Sequence, residues 1–464
     1  MERVHFIGIG GTGLSAIARV LAEQGVSVSG SDRALSPLAQ ELIASGIPVA
    51  LGHAAENVTG ADLVIRSSAI PDDNPEVLAA RARGIPVLKR ADFLPRLLKD
   101  KRVLAVAGTH GKTTTAAMLA WVLTALGYDP SFIVGSVVHN LGKNAHAGKS
   151  DWFVIEADEY DRMFLGINPW VAVVTYMEHD HPDCFPTFEA YREAFEQFVG
   201  QIRQGGALLV CGDRPETFEL AFSAPEQVQA YSYALHTPAH YRIADASPNA
   251  QGGFSGTILF RGSVLARLDL QIPGEHNLAN ALAAFATTHF LGMNPEEAAK
   301  ALHDFSGSDR RFQVLGEEKG ILVINDYAHH PTEIRSTLAA ARARYPRRRI
   351  WAVWQPHTYS RTRALFNEFC RAFSDADRVI VTEVYAAREA QEDFSASQVV
   401  SQMLHSGAIF LPTLDKVTEY LFQELQPGDV LMVLSAGDAD RVCAEVLHHY
   451  QNGSAFVSGE KTHD

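Results

Sequence analysis

The segment AVAGTHGKTTT, residues 105–115, contains the residue types of a phosphate-binding loop. Its loop and first helical turn consist of Gly108, Thr109, His110, Gly111, Lys112, Thr113 and Thr114. The widespread version of such a loop has four residues between its first glycine and the Gly-Lys pair, whereas this segment has only two. A lysine at a helix N-terminus opposes the helix dipole unless an anion binds there. The segment therefore predicts a shortened site for a nucleotide phosphate, and the alternative is a threonine-capped helix with a solvated lysine.

Metal-ligand residue types follow this loop at the ends of two predicted strands. In VIEADEYD, Glu156 ends an apolar strand, where its carboxylate could reach a Mg²⁺ ion held also by Thr113 or Thr114. Beyond the next strand, YMEHDHPD supplies His179, Asp180, His181 and Asp183. Because ligands of α/β sheets bind outside the carboxyl ends of the strands, we expect both clusters to face the predicted loop. Either cluster alone could equally be a solvated surface loop.

A second glycine loop lies at the start of the chain. GIGGTG, residues 8–13, fits the G-x-G-x-x-G pattern between a predicted strand and a predicted helix, and Asp32 follows after the next strand. This is the dinucleotide fingerprint with its acidic ribose partner, and alone it predicts a nicotinamide enzyme. Close backbone approach and a helix N-terminus suit any diphosphate, however. The motif therefore leaves NAD, another nucleotide diphosphate and a purely structural turn as alternatives.

The elements that must position these residues fall into three segments. Residues 1–98, 99–308 and 309–464 each alternate short apolar runs with helical periodicity, which is typical of parallel sheets covered by helices. A length of 464 residues also favours about three domains. We therefore predict an α/β protein of three domains with mainly parallel sheets.

Two stretches depart from this α/β pattern. ARLDLQI, residues 266–272, alternates apolar and polar residues, and it predicts a small antiparallel insert at about residues 240–273 with one exposed face. The last residues, NGSAFVSGEKTHD, are polar, and we expect them to be frayed.

Composition argues against several classes of function. The chain has 40 basic and 54 acidic residues and a net charge of −14, so we expect no general binding to nucleic acid or to an anionic membrane. Its four cysteines lack metal-ligand or redox spacing, which suits a reducing cytosol. The start, MERVHFIGIG, enters a strand directly, and no apolar run is long enough to span a bilayer. We therefore expect no secretory signal, no membrane insertion and a cytoplasmic location.

The motifs occur in a specific order along the chain. The ordered set is GIGGTGLS, GTHGKTTT, EADEYD, HDHPD, GEHNLANALAA, SDRRFQ, NDYAHHPTE and QPHTYSRTR. This set resembles the Mur ligases of peptidoglycan synthesis, and it covers nearly the whole chain. The resemblance implies a Rossmann-like domain for the UDP end of a UDP-sugar over residues 1–98. It further implies a central P-loop ATPase-type domain over residues 99–308 and a Rossmann-like ligase domain over residues 309–464, which closes over ATP and the amino acid.

The resemblance also implies roles for individual residues. For the UDP-sugar these are Gly10, Gly11, Thr12, Gly13, Asp32, Ser67 and Ser68. For ATP they are the loop residues, with Lys112 at the γ-phosphate, Asn277 and Asn280 at adenine, and Arg311 and Asp326. For Mg²⁺ they are Thr113 and Glu156 at one ion and His181 at a second. For the carboxylates of the amino acid and the muramyl group they are His329 or His330, together with His357 and Arg361.

The implied reaction uses ATP to join an amino acid to the carboxylate of UDP-N-acetylmuramate through an acyl phosphate. Lys112, Arg311 and Mg²⁺ would neutralise the charge of the transferred phosphoryl group. Either His181 or His330 would accept the proton of the attacking amine, because histidine titrates near neutral pH. We expect the enzyme to act as a monomer or a homodimer.

The acceptor amine is less tightly specified than the reaction. Several family members hold the second metal with a carbamylated lysine, whereas this chain has no lysine between Lys149 and Lys300, which favours the members that add L-alanine. Against this, Thr358 stands where many alanine-adding members have arginine. EADEYD is also similar to the recycling members that attach a whole tripeptide, so these are the alternative. An NAD-dependent oxidoreductase is the alternative from another class.

Overall fold

A computed structural model describes residues 2–452, which form three mainly parallel sheets of five, ten and six strands. Each sheet lies within one of the three predicted segments, so the predicted α/β fold class is confirmed. Most of the tail predicted to be frayed, residues 453–464, lies outside the described residues. Across residues 2–452, every helix is either too short or too polar for a bilayer crossing.

The first sheet is entirely parallel and has the order β3-β2-β1-β4-β5. Its strands are β1 (Arg3–Ile7), β2 (Ser27–Asp32), β3 (Val49–Leu51), β4 (Leu63–Arg66) and β5 (Val87–Lys89). Its helices are α1 (Thr12–Glu23), α2 (Pro37–Ala44), α3 (Pro75–Ala82) and α4 (Arg90–Leu97). The strand order reverses between β1 and β4, and this is the position at which open α/β sheets bind ligands.

Local sequence signals set several helix starts. Ser36 caps α2 and Asn74 caps α3, each through its side-chain oxygen, and in both helices proline occupies the first helical position. Proline is favoured there because its missing N–H would have no helical partner. Such caps hold the loops that follow β2 and β4 in defined conformations, next to the predicted ligand side of the sheet.

The second sheet has the order β15-β14-β13-β12-β11-β10-β6-β9-β7-β8. Its strands are β6 (Arg102–Ala107), β7 (Ser131–Val138), β8 (Lys143–His146), β9 (Trp152–Glu156), β10 (Val171–Val174), β11 (Ala207–Cys211), β12 (Gln229–Ala234), β13 (Tyr241–Pro248), β14 (Phe254–Phe260) and β15 (Ser263–Asp269). Its helices are α5 (Lys112–Ala125), α6 (Phe188–Val199), α7 (Pro215–Phe218), α8 (Glu275–Phe290) and α9 (Pro295–His303), with 3₁₀ helices at Tyr160–Gly166 and Glu219–Ser223. β6 pairs in parallel with β9 and β10, so the loop after β6 also lies where the strand order reverses.

The predicted antiparallel insert is present, but its attachment differs from the expectation. β14 and β15 pair antiparallel, and the residues of β15 alternate between exposed and more buried positions, as predicted. β13 instead pairs in parallel with β12, at Tyr233↔Tyr241, so the insert extends the main sheet. The opposite edge strand, β8, pairs antiparallel with β7, which the sequence analysis did not predict. Periodicity reports which face of a strand is buried, and it does not identify the strand's partner.

The third sheet has the order β16-β17-β21-β18-β19-β20, with β16 antiparallel to β17 and the other pairs parallel. Its strands are β16 (Gln313–Glu318), β17 (Ile321–Asp326), β18 (Arg349–Trp354), β19 (Arg378–Val381), β20 (Ala408–Phe410) and β21 (Asp429–Leu434). Its helices are α10 (Pro331–Arg344), α11 (Tyr359–Ala364), α12 (Phe366–Phe369), α13 (Ser397–Gln402), α14 (Leu414–Glu424) and α15 (Asp440–Gln451). Trp351 and Trp354 are both buried and belong to different core clusters on the two faces of this sheet.

The chain forms two compact units. The first contains residues 2–247, 255–271 and 277–308, and the second contains residues 248–254, 272–276 and 309–452. Within the first unit, α1 packs against β7 and β8, and one hydrophobic core contains residues from both the first and the second sheet. The predicted boundary at residues 98/99 between two domains within this unit remains a prediction.

Candidate functional site

The shortened loop between β6 and α5 is tightly enclosed. Gly108 has φ 130° and Gly111 has φ 83°, and both values favour glycine. A Cβ atom on Gly108 would lie 2.3 Å from the Oγ1 atom of Thr175, and one on Gly111 would lie 2.5 Å from the Oδ1 atom of Asn280. Neither position has room for a side chain. The loop backbone is therefore held in one conformation at the N-terminus of α5.

Lys112 begins α5 and points back into the protein. Its ammonium group donates to the two carboxylate oxygens of Glu159, at 2.8 and 3.0 Å, and to the carbonyl oxygen of Gly108 at 2.5 Å. Burial lowers the pKa of Lys112, but the carboxylates of Glu159, Asp158 and Glu156 outweigh burial and raise it above its ordinary value. The lysine is therefore a permanent positive charge at the loop.

Carboxylates outnumber cations around this lysine. Glu156, at the end of β9, accepts from the Thr113 hydroxyl at 2.9 Å and from the amide of Gly135 at 2.7 Å. Burial raises the pKa of Asp158, but Arg90, Lys112 and His181 together hold it below its ordinary value, so this group is also ionised. A nucleotide triphosphate entering among these carboxylates would be repelled unless a divalent cation came with it.

The oxygen donors at this position fit Mg²⁺. A threonine hydroxyl directly beside a carboxylate is the type of ligand pair that hard cations prefer. The sequence analysis left Thr113 and Thr114 open, and the structure places the Thr113 hydroxyl against Glu156. Thr114 lies half-buried on the next position of the helix. The excess of negative charge is a second observation in favour of a cation.

His181 has the geometry of a residue built for a ligand. Its φ is 56°, in the left-handed region that few histidines adopt. Its Nε2 atom lies 3.7 Å from a Glu159 oxygen and 3.6 Å from an Asp180 oxygen. Its Nδ1 atom is buried and has no hydrogen-bond partner within residues 2–452. Buried polar atoms are normally paired, so this imidazole nitrogen is available to a metal ion or to a proton.

The other members of the two predicted clusters have different surroundings. The Nε2 atom of His179 donates to the carbonyl oxygen of Phe185 in its own loop at 2.8 Å, so this contact is structural. Asp183 accepts from the hydroxyl of Tyr160 at 3.2 Å. His110, in the loop itself, contacts Glu178 at 3.1 Å. We call Lys112 and the carboxylates of Glu156, Asp158 and Glu159 the lysine cluster. Of the four predicted groups after β10, His181 and Asp180 are the two that lie at this cluster.

A pair of buried amides from α8 lies next to the same loop. The Nδ2 atom of Asn280 donates to the Oδ1 atom of Asn277 at 3.2 Å, and Asn280 lies directly beside Gly111. Of the two residues predicted to contact adenine, Asn280 therefore lies at the loop, and Asn277 is bonded to Asn280. Their contact with adenine stays a prediction.

The first glycine loop is built differently, although it also joins a strand to a helix. The Gly10 amide donates to the carboxylate of Asp32 at 2.8 Å, and the Ser36 hydroxyl donates to the Gly10 carbonyl oxygen at 2.9 Å. Asp32 therefore lies at the loop, as the fingerprint predicts. Thr12 begins α1, with Gly11 as its N-cap, so the loop presents the start of a helix.

The two predicted serines after β4 contact different parts of the protein. Ser67 packs beside Gly8, where a Cβ atom added to the glycine would lie 3.2 Å from the serine Cβ atom. The Ser68 hydroxyl donates to the carboxylate of Asp161 at 2.8 Å, which lies in the 3₁₀ helix after β9. Ser67 is thus at the first glycine loop, while Ser68 joins the N-terminal segment to the central one.

Arg90 is a site residue that the sequence analysis missed. Its guanidinium lies against Gly13, so closely that a Cβ atom on the glycine would be 1.8 Å from Nη1, and its Nη2 donates to Asp158 at 3.3 Å. Arg90 begins α4 directly after Lys89. The argument that singled out Lys112, a cation at a helix N-terminus, could therefore have found it.

In the second unit, Asp326 and Arg311 are brought close together. Asp326 ends β17 and accepts from the amides of Phe312 and Ala328, both at 2.7 Å. Burial raises the pKa of Asp326 to about 6, although the nearby Arg311 and these two amides act in the opposite direction. The guanidinium of Arg311 lies 5.0 Å from the ring centre of Tyr327. Both predicted ATP contacts of this unit thus lie at the end of β17.

Three of the residues predicted to bind carboxylates, His329, His357 and Arg361, lie close together in the second unit. The His329 and His357 rings lie 5.8 Å apart, and a guanidinium nitrogen of the buried Arg361 lies 3.3 Å from the His357 carbonyl oxygen. His330 instead caps α10, where its Nδ1 atom accepts from the Thr332 amide at 3.3 Å. Thr358, at the position where a family arginine was expected, is buried with φ 68°.

The chain matches three family models in succession. These are described as Mur ligase family, catalytic domain, over residues 3–102; Mur ligase middle domain, over residues 106–288; and Mur ligase, glutamate ligase domain, over residues 310–437. The three matches follow the order of the three sheets.

Whole-length relatives agree with these matches. The chain is 44% identical over 451 residues to the UDP-N-acetylmuramate–L-alanine ligase of Rubrobacter xylanophilus, covering 96% of this chain and 99% of the relative. It is similar to the crystal structure of the UDP-N-acetylmuramate–alanine ligase of Thermotoga maritima, with a TM-score of 0.84, 29% identity, and coverage of 98% and 100%. A murein peptide ligase from Psychrobacter arcticus shares the fold, with a TM-score of 0.75, 24% identity, and coverage of 98% and 100%.

Proposed function

The chain belongs to the Mur ligase family, and we propose that it joins L-alanine to the lactyl carboxylate of UDP-N-acetylmuramate, with hydrolysis of ATP to ADP and phosphate. The observation that carries the ligase chemistry is the shortened glycine loop, whose partly buried lysine lies among the carboxylates of Glu159, Asp158 and Glu156. The choice of L-alanine is supported by the full-length relatives of that name.

The loop between β6 and α5 is the proposed phosphate site. Its backbone amides and the Lys112 ammonium bind the terminal phosphate, and Asn277 and Asn280 contact adenine. Thr113 and Glu156 would hold one Mg²⁺ ion and His181 would contribute to a second. When bound, these ions neutralise the phosphate oxygens and the surrounding carboxylates.

The first glycine loop is the proposed site for the UDP end of the substrate. The amides at the start of α1 and the Arg90 guanidinium supply positive charge for a diphosphate, and Asp32 and Ser67 complete the pocket. The loop needs no metal for this task, because the Arg90 guanidinium lies directly at the helix start, against Gly13. An NAD-dependent oxidoreductase, the alternative from the same motif, would use the same loop.

The remaining residues are assigned to the nucleotide and to the reacting carboxylate and amine. A carboxylate is a poor acyl donor, so ATP first converts it to an acyl phosphate, which the neutral amine of L-alanine attacks with loss of phosphate. Arg311 and Asp326 act on the nucleotide. His181 or His330 accepts the amine proton, and His329, His357 and Arg361 bind the carboxylates. We further propose three domains with boundaries at residues 98/99 and 308/309, a monomer or homodimer, and a cytoplasmic location with ATP.

The proposal is tested with a panel of acceptors. Purified protein, UDP-N-acetylmuramate, ATP and Mg²⁺ are incubated with L-alanine, L-serine, glycine or the tripeptide of the recycling members, and ADP and product mass are measured. We expect ADP and a UDP-muramyl product heavier by one alanine residue. Preference for the tripeptide would show that the tripeptide, and not L-alanine, is the acceptor. Absence of ADP formation with every acceptor would refute the ligase function.

Two controls accompany the panel. Chelation of divalent cations should stop ADP formation, because the carboxylate cluster then repels the nucleotide. Titration with NADH should give no saturable fluorescence change, and tight binding would favour the oxidoreductase instead.

A further inference from the structure

Glu159 lies at the centre of the lysine cluster, although no motif argument assigned it a role. Its side chain is completely buried, three residues after Glu156. One carboxylate oxygen lies 2.8 Å and the other 3.0 Å from the Nζ atom of Lys112. The hydroxyl of Tyr191 donates to Glu159 at 3.1 Å, and the Nε2 atom of His181 lies 3.7 Å away. Three side chains, those of Lys112, Tyr191 and His181, thus converge on this carboxylate.

The contacts of Lys112 leave its ammonium group fully engaged. An ammonium group carries three N–H donors. The two oxygens of Glu159 and the carbonyl oxygen of Gly108 accept one donor each, and the Thr109 carbonyl oxygen lies further away at 3.4 Å. A phosphate oxygen can therefore bind this lysine only by displacing an existing acceptor. The acceptor that carries a negative charge, and so conflicts with the phosphate, is Glu159.

A second chain of hydrogen bonds ties Glu159 to the loop backbone. The Tyr191 hydroxyl also contacts the Thr109 hydroxyl at 2.8 Å. Thr109 in turn donates to the Glu178 carbonyl oxygen at 2.8 Å and accepts from the Glu178 amide at 2.9 Å. Burial, followed by the charge of Glu159, raises the pKa of Tyr191 well above its ordinary value, so the phenol stays protonated. The lysine, the loop and the segment that carries His181 are thus coupled through one carboxylate.

We propose that Glu159 is a positioning residue of the ligase reaction. Its carboxylate fixes the flexible Lys112 side chain over the loop before the nucleotide binds, and it gives up part of the ammonium group to the terminal phosphate when the triphosphate arrives. The carboxylate thereby lowers the affinity for the triphosphate, but it keeps the lysine oriented for phosphoryl transfer. This inference rests on the proposed function and deepens it, since it concerns the same phosphate site.

Glu159→Gln is the principal test, because it keeps the size of the side chain and removes the charge. We expect kcat for ADP formation to fall about 10- to 100-fold, the loss typical when a residue that only orients a functional group is removed. We also expect the affinity for a non-hydrolysable ATP analogue to rise several-fold, while the affinity for ADP stays within twofold. ADP lacks the terminal phosphate, so a general structural defect would change both affinities together.

Two further variants make the outcome decisive. Glu189→Gln, an exposed carboxylate on α6, is the matched control and should leave all values unchanged. Glu159→Asp retains the charge on a shorter side chain and should keep the ADP and ATP-analogue affinities near those of the wild type, with an intermediate kcat. It also serves if Glu159→Gln does not fold. A kcat within threefold of the wild type in the folded variants, or parallel changes of the ATP-analogue and ADP affinities, would overturn the role of Glu159. Inactivity of the wild type with every acceptor would instead refute the proposed function.

Discussion

The two glycine loops of the first compact unit occupy equivalent positions in their sheets. One follows β1 and leads into α1, and the other follows β6 and leads into α5, each where the strand order reverses. Both therefore present backbone amides and the positive end of a helix dipole to the same side of a parallel sheet. By backbone geometry alone, both loops have the form that is typical of anion sites.

The charges around the two loops differ. At the first loop, the carboxylate of Asp32 accepts from the Gly10 amide, and the guanidinium of Arg90 lies against Gly13 and also donates to Asp158. At the second loop, the ammonium of Lys112 is surrounded by Glu156, Asp158 and Glu159. We therefore propose that the first loop accepts a diphosphate directly. The second carries an excess of negative charge, so we infer that it accepts a triphosphate only together with cations.

Each loop is also close to a fully buried carboxylate, and these are satisfied in different ways. Glu76, near the first loop, accepts from the Ser31 hydroxyl at 2.7 Å and the Asn57 amide at 2.6 Å, and it contacts the His5 ring at 3.1 Å. Glu159 is instead paired with an ammonium group. Dipoles can hold a carboxylate in place permanently, whereas an ion pair can exchange partners with an incoming anion. The comparison therefore predicts a structural carboxylate at the first loop and a functional one at the second.

Lys112→Ala should produce the largest difference between the two loops. We expect kcat for ADP formation to fall by about 10³-fold or more, because the terminal phosphate loses its direct cation. Binding of UDP-N-acetylmuramate, measured by isothermal titration calorimetry, should stay within twofold of the wild type. Equal losses at both substrates would contradict the separation of the two sites.

The control for this substitution must address folding. Removal of the lysine leaves Glu159 buried without its cation, and breaking a buried pair typically costs about 3–5 kcal/mol of unfolding free energy. The double variant Lys112→Ala/Glu159→Gln should regain much of that stability and remain inactive. Lys149→Ala, at an exposed lysine, should change neither activity nor stability.

The sequence was sufficient to predict the loop and much of what surrounds it. A lysine at a helix start signals an anion, and Glu156 at the end of an apolar strand places a carboxylate at the ligand side of the sheet. Both inferences use local patterns that survive folding. Glu159 was missed because its role depends on Lys112, which lies 47 residues away along the chain. Arg90 has a local signal as a cation at a helix start, but its contact with Asp158, 68 residues away, has none.

The sheet edges show the same limit. The alternation in ARLDLQI correctly predicts a half-exposed strand, but it does not reveal that β13 continues the parallel sheet beside β12. The antiparallel edge strands β8 and β16 are short and only partly buried, so they lack a strong periodic signal. Likewise, the packing of α1 against β7 and β8, which places the first two sheets in one compact unit, depends on surface complementarity between distant segments.

Alanine substitutions of one glycine in each loop should affect the KM of a different substrate. Gly111→Ala places a Cβ atom 2.5 Å from Asn280, and we expect the KM for ATP to rise about 10- to 100-fold with little change for the UDP-sugar. Gly10→Ala places a Cβ atom 2.7 Å from the Ser36 hydroxyl, so we expect the KM for the UDP-sugar to rise with little change in the KM for ATP. Steady-state kinetics with each substrate varied in turn measures both effects.

Gly127 provides the control for the glycine substitutions. It lies just beyond the end of α5, has the same φ of 83° as Gly111, and has no atom within 4 Å of an added Cβ. Gly127→Ala should therefore reduce the unfolding free energy by about 1 kcal/mol through backbone strain, while both KM values stay unchanged. If Gly127→Ala raised the KM for ATP as much as Gly111→Ala does, strain alone would account for the effect.

Glu76→Gln should have the smallest effect on catalytic activity, and it tests whether the carboxylate near the first loop is structural. Burial raises the pKa of Glu76, but hydrogen bonds from His5, Asn57 and Ser31 outweigh burial and lower it from 4.5 to about 2. Because the folded-state pKa lies below the unfolded one, the ionised group stabilises the fold at pH values above 4.5. This contribution, about 3 kcal/mol for such a shift, is lost as the pH falls from 4.5 to about 2.

The measurement is the urea unfolding free energy of both proteins from pH 7 to pH 2, followed by circular dichroism. The wild type should lose stability between pH 4.5 and 2 more steeply than Glu76→Gln, because the glutamine has no proton to bind there. Glu56→Gln, at an exposed carboxylate in the same loop region, should follow the wild-type curve. At neutral pH, the Glu76→Gln variant should retain kcat within a few-fold, since this carboxylate does not exchange partners with a substrate. Parallel stability curves, or a loss of kcat as large as that of Glu159→Gln, would remove the distinction between a carboxylate fixed by dipoles and one paired with a catalytic cation.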